Sequence, residues 1–317
     1  LSPQAGLTPL YGDFKVFTYR YNFPAQRLAD FLTDRYQLSG PKLALALEQR
    51  IKLNGQTPAP ETMILPGDHL EYEHRREDEP PFAGNSLVWI YEDEHLLALS
   101  KPPSLPVTPS GPYFYNALAI LVREVTGNPD LQPLHRLDIE TSGVLLFSKS
   151  KEGRGRLQPL FERQEMDKRY LALCLGDPGP EPIEGNLELD LDSKIFTKYR
   201  LHPSERPQSR TLVGTRTPWG RFWKVELQPL SGKTNQLRAH LASKGAPIVG
   251  DKKYYPDEAV YLDWFEHKDI HRLLDRLILP RQALHCQSLS FENPISGQRL
   301  TLNDPTPDFG ALIAPLK

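Results

Sequence analysis

Apolar positions recur with two different periods along this chain. Leu28, Phe31, Leu32 and Tyr36 sit at helical spacing, Ser39-Gly40-Pro41 interrupts, and a second helical pattern runs through Leu43, Leu47 and Ile51. Asn54-Gly55 reads as a tight turn between short strands, and Pro66-Gly67-Asp68 as a turn feeding another. From Leu87 the pattern changes to strands. In "LVWIYEDEHLLALSKPP" two apolar runs flank the acidic turn Glu92-Asp93-Glu94, which predicts a hairpin. Further on, "ALAILVREVTG" predicts a helix ended by Gly127 and "LQPLFERQEM" a second. "YLALCLG" and "FWKVELQPL" predict strands, and "TNQLRAHLAS" a helix.

Strands and helices mix without regular βαβ alternation, so the fold class is α+β: a large mixed, mostly antiparallel sheet flanked by helices, with a small N-terminal α/β domain. "HRREDEPPFAGN", residues 74–85, is charged, Pro-containing and aperiodic, which marks a linker. The expected division is 1–80 for the small domain with its linker and 81–317 for the large one.

Composition narrows the class. A chain of 317 residues with 39% apolar content has room for one large core and an appended domain. No apolar run approaches the roughly 18 to 20 residues that span a bilayer, and "LSPQAGLTPLYGDFKV" lacks the charged start and apolar run of a secretory leader. Membrane insertion and secretion are not expected. Cys174 and Cys286 lie far apart in apolar stretches, the pattern of reduced, buried thiols and of a cytoplasmic protein. The net charge of −2 means that a nucleic-acid partner would need a local basic surface.

The richest chemistry lies in "LHRLDIETSGVLLFSKS", residues 134–150, where Arg, Asp, Glu, Thr and Ser precede Val144-Leu145-Leu146-Phe147. Gly143 followed by four apolar residues marks a turn entering a buried strand, which puts Asp138 on the loop before it. Loops on rigid scaffolds are where catalytic groups accumulate, although an Asp there can equally cap a turn and pair with Arg136. The wider pattern separates these readings. "HRLD-x-x-T-S-G-x-L-L-F-x-K", complete through Lys149, resembles the signature of the RluA family of RNA pseudouridine synthases. "YEDEHLLALSKPPSLPVTPSG", "KRYLALCLG", "GKTNQLRAHLASKGAPIVGDKKY" and "ALHCQSLSFENPISGQ" follow that family's order, so the likeness spans roughly residues 87–310.

The resemblance implies a pseudouridine synthase fold and an isomerase acting on a uridine of structured RNA, ribosomal or transfer, as a monomer. It makes Asp138 the catalytic carboxylate, Arg136 the residue that enters the RNA as the uridine leaves, Tyr170 the stacking face for the flipped base and Arg238 the partner of Asp138. His135 and Thr141 of the signature join the expected RNA-binding set with Lys101, Lys168, Lys233, Asn235 and Lys252, and the same basic surface includes Arg169 and Lys253. The isomerisation oxidises nothing and releases no group, so no cofactor is expected. The sequence has neither a glycine-rich phosphate loop nor a metal-spaced cluster of His, Cys and acids. Residues 27–74 resemble the alpha-L RNA-binding module named after a small-subunit ribosomal protein, through "IKLNGQ" and "ILPGDHL". The helix that is strongly basic in that module here carries only Lys42, Arg50 and Lys52.

Two departures stand out. Where the family reads G-R-T-H-Q, this chain has Gly232-Lys233-Thr234-Asn235-Gln236, so a guanidinium fork becomes a point charge and an imidazole an amide. Residues 257–280 also predict a longer helical insertion, in which His267 and His271 fall at i and i+4 without a third ligand. Two rival readings remain: a catalytically silent RNA-binding or assembly factor, and a nucleosidase-like hydrolase in which water captures the sugar.

Overall fold

The computed structural model describes residues 10–80 and 87–304, which group into two units. The first takes the N-terminal residues up to 80 together with Leu105–Leu131; the second takes Leu87–Ser104 and everything described from Gln132 onward. The cut expected after residue 80 falls on 81–86, outside the described residues.

The first unit contains β1 (Phe14–Arg20), β2 (Gln26–Arg27), α1 (Leu28–Tyr36), α2 (Gly40–Leu45), β3 (Ile51–Leu53), β4 (Met63–Ile64), β5 (His69–Arg75) and α3 (Leu118–Thr126). Strands β1, β5 and β3 form an antiparallel sheet in that order. The apolar stripe of α1, Leu28, Phe31, Leu32 and Tyr36, is buried as its spacing predicts. Asn54 and Gly55 both take positive φ, 52° and 80°, in the turn that Leu53 and Gln56 close. The second helical pattern stops short of Ile51. A π-helical turn over Ala46–Arg50 ends it, and Ile51 with Leu53 obeys strand alternation instead, both side chains buried.

Residues 74–80, read from sequence as the start of a linker, are folded. Arg76–Asp78 form a 3₁₀ turn, and the buried Glu79 carboxylate accepts the backbone N–H groups of Phe114, Tyr115 and Asn116 at 2.7–2.8 Å. Arg76 pairs with Glu124 at 2.6 Å. Charge density mimicked a linker because these acids face donors far away in sequence.

The second unit begins with the expected hairpin, β6 (Val88–Glu92) and β7 (Leu96–Lys101), then β8 (Gln132–Pro133), β9 (Ser142–Ser148) and α4 (Lys151–Glu162). It continues with β10 (Asp167–Cys174), β11 (Ile183–Leu189), β12 (Tyr199–His202), β13 (Ser209–Trp219), β14 (Phe222–Pro229) and α5 (Gln236–Ser243). Short helices α6 (Ala259–His267) and α7 (Leu274–Leu277) precede β15 (Leu284–Glu292) and β16 (Arg299–Asn303). These eleven strands form one sheet ordered β12-β11-β13-β14-β10-β15-β9-β7-β6, with β16 also on β15 and β8 on β9. Among the described residues only β9 and β15 pair in parallel, so the sheet is mixed and mostly antiparallel. Helix α4 starts earlier than its apolar pattern suggests, because the Ser150 hydroxyl caps it by accepting from the Gly153 N–H at 3.1 Å.

The 257–280 insertion is not one helix. Lys268 in the left-handed region (φ 54°) ends α6 at His267, and His271 opens a separate 3₁₀ turn. The two histidines therefore do not share a helical face; His267 instead pairs with Asp263 at 3.1 Å. Among the described residues there is no group of three or more His, Cys, Asp or Glu able to hold a metal ion.

Strand β9 carries the Asp138 loop into the core. All seven of its residues are buried between β7 and β15, and Gly143 takes φ +116° against the Cys286 backbone. A Cβ there would lie 2.2 Å from the Cys286 carbonyl oxygen. We expect Gly143→Ala to cost about 3 kcal/mol or more in unfolding free energy, through strain and forced displacement of β15. Denaturant unfolding checks this; a loss under 1 kcal/mol would mean that the β9–β15 approach is loose.

Candidate functional site

Asp138 ends the signature loop in a turn closed by the Thr141 N–H on the Asp138 carbonyl at 3.1 Å. That turn is stapled from beneath. The Lys101 ammonium, at the end of β7, donates to the carbonyl oxygens of Ile139, Thr141 and Pro102 at 2.8–2.9 Å. Gln282 Nε2 donates to Thr141 Oγ1 at 2.6 Å, and the Glu140 carboxylate accepts both Lys252 Nζ and the Gln282 N–H. Asp138 therefore stands on a loop with little freedom.

Arg238 arrives from α5, which starts after Asn235 in the left-handed region. Its Nη1 donates to Asp138 Oδ2 at 2.8 Å and to Asn235 Oδ1 at 3.0 Å. Its Nε and Nη2 bind the fully buried Asp251 in a fork, at 2.6 and 2.8 Å. Burial works against the charge of Asp251, but Arg238 and the Tyr254 N–H outweigh it and hold the carboxyl below its usual range. Burial also opposes the Arg238 charge, and Asp251 with Asp138 overcomes it, so the guanidinium is held more firmly charged than usual. The Tyr254 ring lies 5.2 Å from that guanidinium.

Tyr170 reaches the same place from β10. The pairing register with β15 slips between Arg169 and Tyr170, a bulge of the kind that re-aims a side chain. Asp138, Arg238 and Tyr170 line one pocket of about 330 Å³, whose apolar wall includes Phe161, Leu237 and Leu284. Its volume sits at the small end of the range for ligand sites. Burial pushes the Tyr170 hydroxyl well above its ordinary pKa, so it stays neutral.

The RNA-binding set divides. Arg136 lines the pocket, exposed and without a hydrogen bond or ion pair among the described residues; Lys233 is exposed at its rim, and Lys168 lines it while bonding the Ser231 carbonyl at 3.3 Å. Lys101 does not face outward. It is fully buried, which pushes its pKa down to about 7 despite nearby Asp138, yet only the ammonium can satisfy its three carbonyl acceptors. Lys252 and Thr141 are likewise buried, their polar atoms bound within the protein. Asn235 lines the pocket but spends its carbonyl on Arg238. His135 Nε2 accepts the Leu146 N–H at 3.1 Å and the ring stacks on Phe161; burial and Lys168 push its pKa down to about 3, so it offers no cation.

Sequence reasoning missed Asp251, Glu140 and Gln282. Asp251 lay in the quoted "GAPIVGDKKY"; the usable signal was that a buried Arg meeting one carboxylate of a site usually needs a second for its remaining N–H groups.

A family model described as RNA pseudouridylate synthase matches residues 95–243. The dual-specificity RNA pseudouridine synthase RluA of Haemophilus influenzae is 31% identical over 217 residues, 68% of this chain and 90% of that protein. The protein of the same name from Vibrio cholerae is 35% identical over 217 residues, covering 68% and 81%. Among solved structures, human RNA pseudouridylate synthase domain containing 1 shares the fold, with a TM-score of 0.57 and 24% identity over 74% of this chain and 89% of that one. With the signature, the sheet and the relatives in agreement, the chain belongs to the RluA family of RNA pseudouridine synthases.

Proposed function

We propose that Asp138 is the carboxylate with which this RNA pseudouridine synthase isomerises a uridine. The observation that carries this reading is the 2.8 Å contact from Arg238 to Asp138 at a pocket lined by Tyr170. The reaction breaks the bond between the anomeric carbon and a ring nitrogen, turns the base over and rejoins it through a ring carbon. Asp138 acts either as nucleophile or as a base toward the sugar, and both routes require it ionised. A flipped base covering the site removes water from the carboxylate and disfavours its charge; Arg238 offsets that and fixes the oxygen that it contacts. Extruding the base costs about a few kcal/mol, which stacking on Tyr170 offsets in part.

Arg136, Lys168 and Lys233 form the basic rim proposed for the RNA backbone, with Arg136 the residue that enters the RNA. In the first unit Arg50 pairs with Asp78, while Lys42, bonded to the neutral Glu77 carbonyl, and Lys52 have no ion-pair partner among the described residues, so two of the three expected cations stay available. Its alpha-L-like outline thus supports at most a weak grip. We read the protein as a cytoplasmic monomer acting on ribosomal or transfer RNA; the free, buried Cys174 and Cys286 support a reducing compartment.

The direct test incubates purified protein with RNA and measures pseudouridine. Asp138→Asn keeps the shape and removes the charge, so turnover should fall at least about a thousandfold while RNA binding persists. A variant within tenfold of the parent would remove Asp138 from its role, and release of free uracil would mark a hydrolase instead. The basic rim has its own signature. Lys233→Gln should lower the log–log salt slope of RNA binding by about 0.7 to 0.9, one phosphate contact. Lys101→Met should leave that slope unchanged and reduce stability, because three carbonyls lose their donor. A changed slope in Lys101→Met would return that lysine to the RNA face.

A further inference from the structure

The loop joining β11 to β12 places two large apolar side chains in solvent: Leu191 is 90% exposed and Phe196 81% exposed. A slack loop could fold such residues inward. This one is pinned. The Asp190 N–H closes it on the Lys198 carbonyl at 2.9 Å, and Ile195 anchors it as a buried residue immediately before Phe196. From the residue just before α6 the Glu258 carboxylate accepts the Ser193 hydroxyl at 2.6 Å, the Lys194 N–H at 3.1 Å and Lys198 Nζ at 2.8 Å. Lys253 Nζ donates to Thr197 Oγ1 at 2.9 Å, and the Tyr199 N–H donates to the Tyr254 hydroxyl at 3.1 Å.

Those last two contacts tie the loop to the reaction site. The N–H groups of Lys253 and Tyr254 bind Asp251, the residue that holds Arg238, and the Tyr254 ring lies 5.2 Å from the Arg238 guanidinium. A continuous chain of contacts therefore runs from Asp138 to the residues beside Phe196.

Charge decides what the loop can meet. Arg200 is matched by Asp190 and Asp192, and Lys198 by Glu258. Lys194 is exposed with no carboxylate partner among the described residues, whereas the half-buried Lys253 ammonium hydrogen-bonds Thr197 and has the Asp138 and Asp251 carboxylates nearby. An exposed aromatic ring close in the loop to the uncompensated Lys194 suits a nucleotide, whose base stacks while its phosphate meets the lysine. Two side chains cannot supply the roughly 800 Å² per partner of a stable protein interface.

We propose that Phe196 is a stacking platform for an unpaired nucleotide next to the target uridine, with Lys194 on an adjoining phosphate. This rests on the synthase reading above and adds a residue that meets the RNA beside the target base.

The test uses the full chain and a stem-loop RNA cut from around the uridine that pseudouridine mapping identifies, with 2-aminopurine at the neighbouring loop positions. In an Asp138→Asn background, which binds without turning over, stacking on Phe196 quenches the fluorescent base. Phe196→Ala should restore the fluorescence and weaken binding between about fivefold and a hundredfold, with an unchanged melting temperature, and Phe196→Trp should recover both signals. Quenching and affinity within twofold of the parent in Phe196→Ala overturn the proposal and leave the exposed pair as a protein contact. A Phe196→Trp variant as weak as Phe196→Ala overturns it as well, since stacking would not be what the ring supplies. If the enzyme with native Asp138 left every RNA unconverted, the synthase reading itself would fail, which is a separate result.

Discussion

One guanidinium organises this site. Arg238 faces two carboxylates, and their inequality matters: Asp251 is wholly buried and takes two N–H groups in a fork, whereas Asp138 is partly open and takes one. Removing either partner from a buried cation is expensive, so Asp251 cannot leave, and its geometry dictates where Nη1 points. Two backbone N–H groups, of Lys253 and Tyr254, fix Asp251 in turn at 3.1 Å. The direction of the contact to Asp138 is thus set by the fold before any RNA arrives, the preorganisation that electrostatic catalysis needs.

The same economy applies beneath Asp138. Its loop is held by a buried ammonium, a buried amide and a Lys252–Glu140 pair, each reaching from a different part of the chain. Such networks are strong when every member is satisfied and costly when one is missing. Strand β9 completes the support, its close parallel approach to β15 allowed by the missing side chain at Gly143. The polar residues next to a buried strand, conspicuous in the sequence, are there because the strand is the loop's foundation.

Much of this was legible in the sequence. The HRLD site was legible through its likeness to a family signature, and the β6–β7 hairpin, the Gly127 stop and the strands at Tyr170 and Phe222 follow from short-range pattern, where period and turn chemistry act locally. What failed was long-range. Lys101 read as an RNA contact because sequence shows charge and not burial, and two of its three carbonyl partners lie 38 and 40 residues away. Glu79 read as linker because its three donors sit at 114–116. Asp251 went unassigned because nothing in "VGDKKY" says that the acid turns inward toward a residue thirteen positions earlier. At Ile51 helix and strand periods conflicted, and pairing with β5 decided for the strand.

The central claim, that Asp251 acts by aiming Arg238, is tested most directly by a double-mutant cycle on kcat at saturating RNA, using Asp251→Asn and Arg238→Lys. Each single change should lower kcat by about tenfold or more, and the double variant should be no slower than the worse single, a coupling of about 1.4 kcal/mol or greater. Losses that simply multiply would show that Asp251 works independently of Arg238 and would contradict the account.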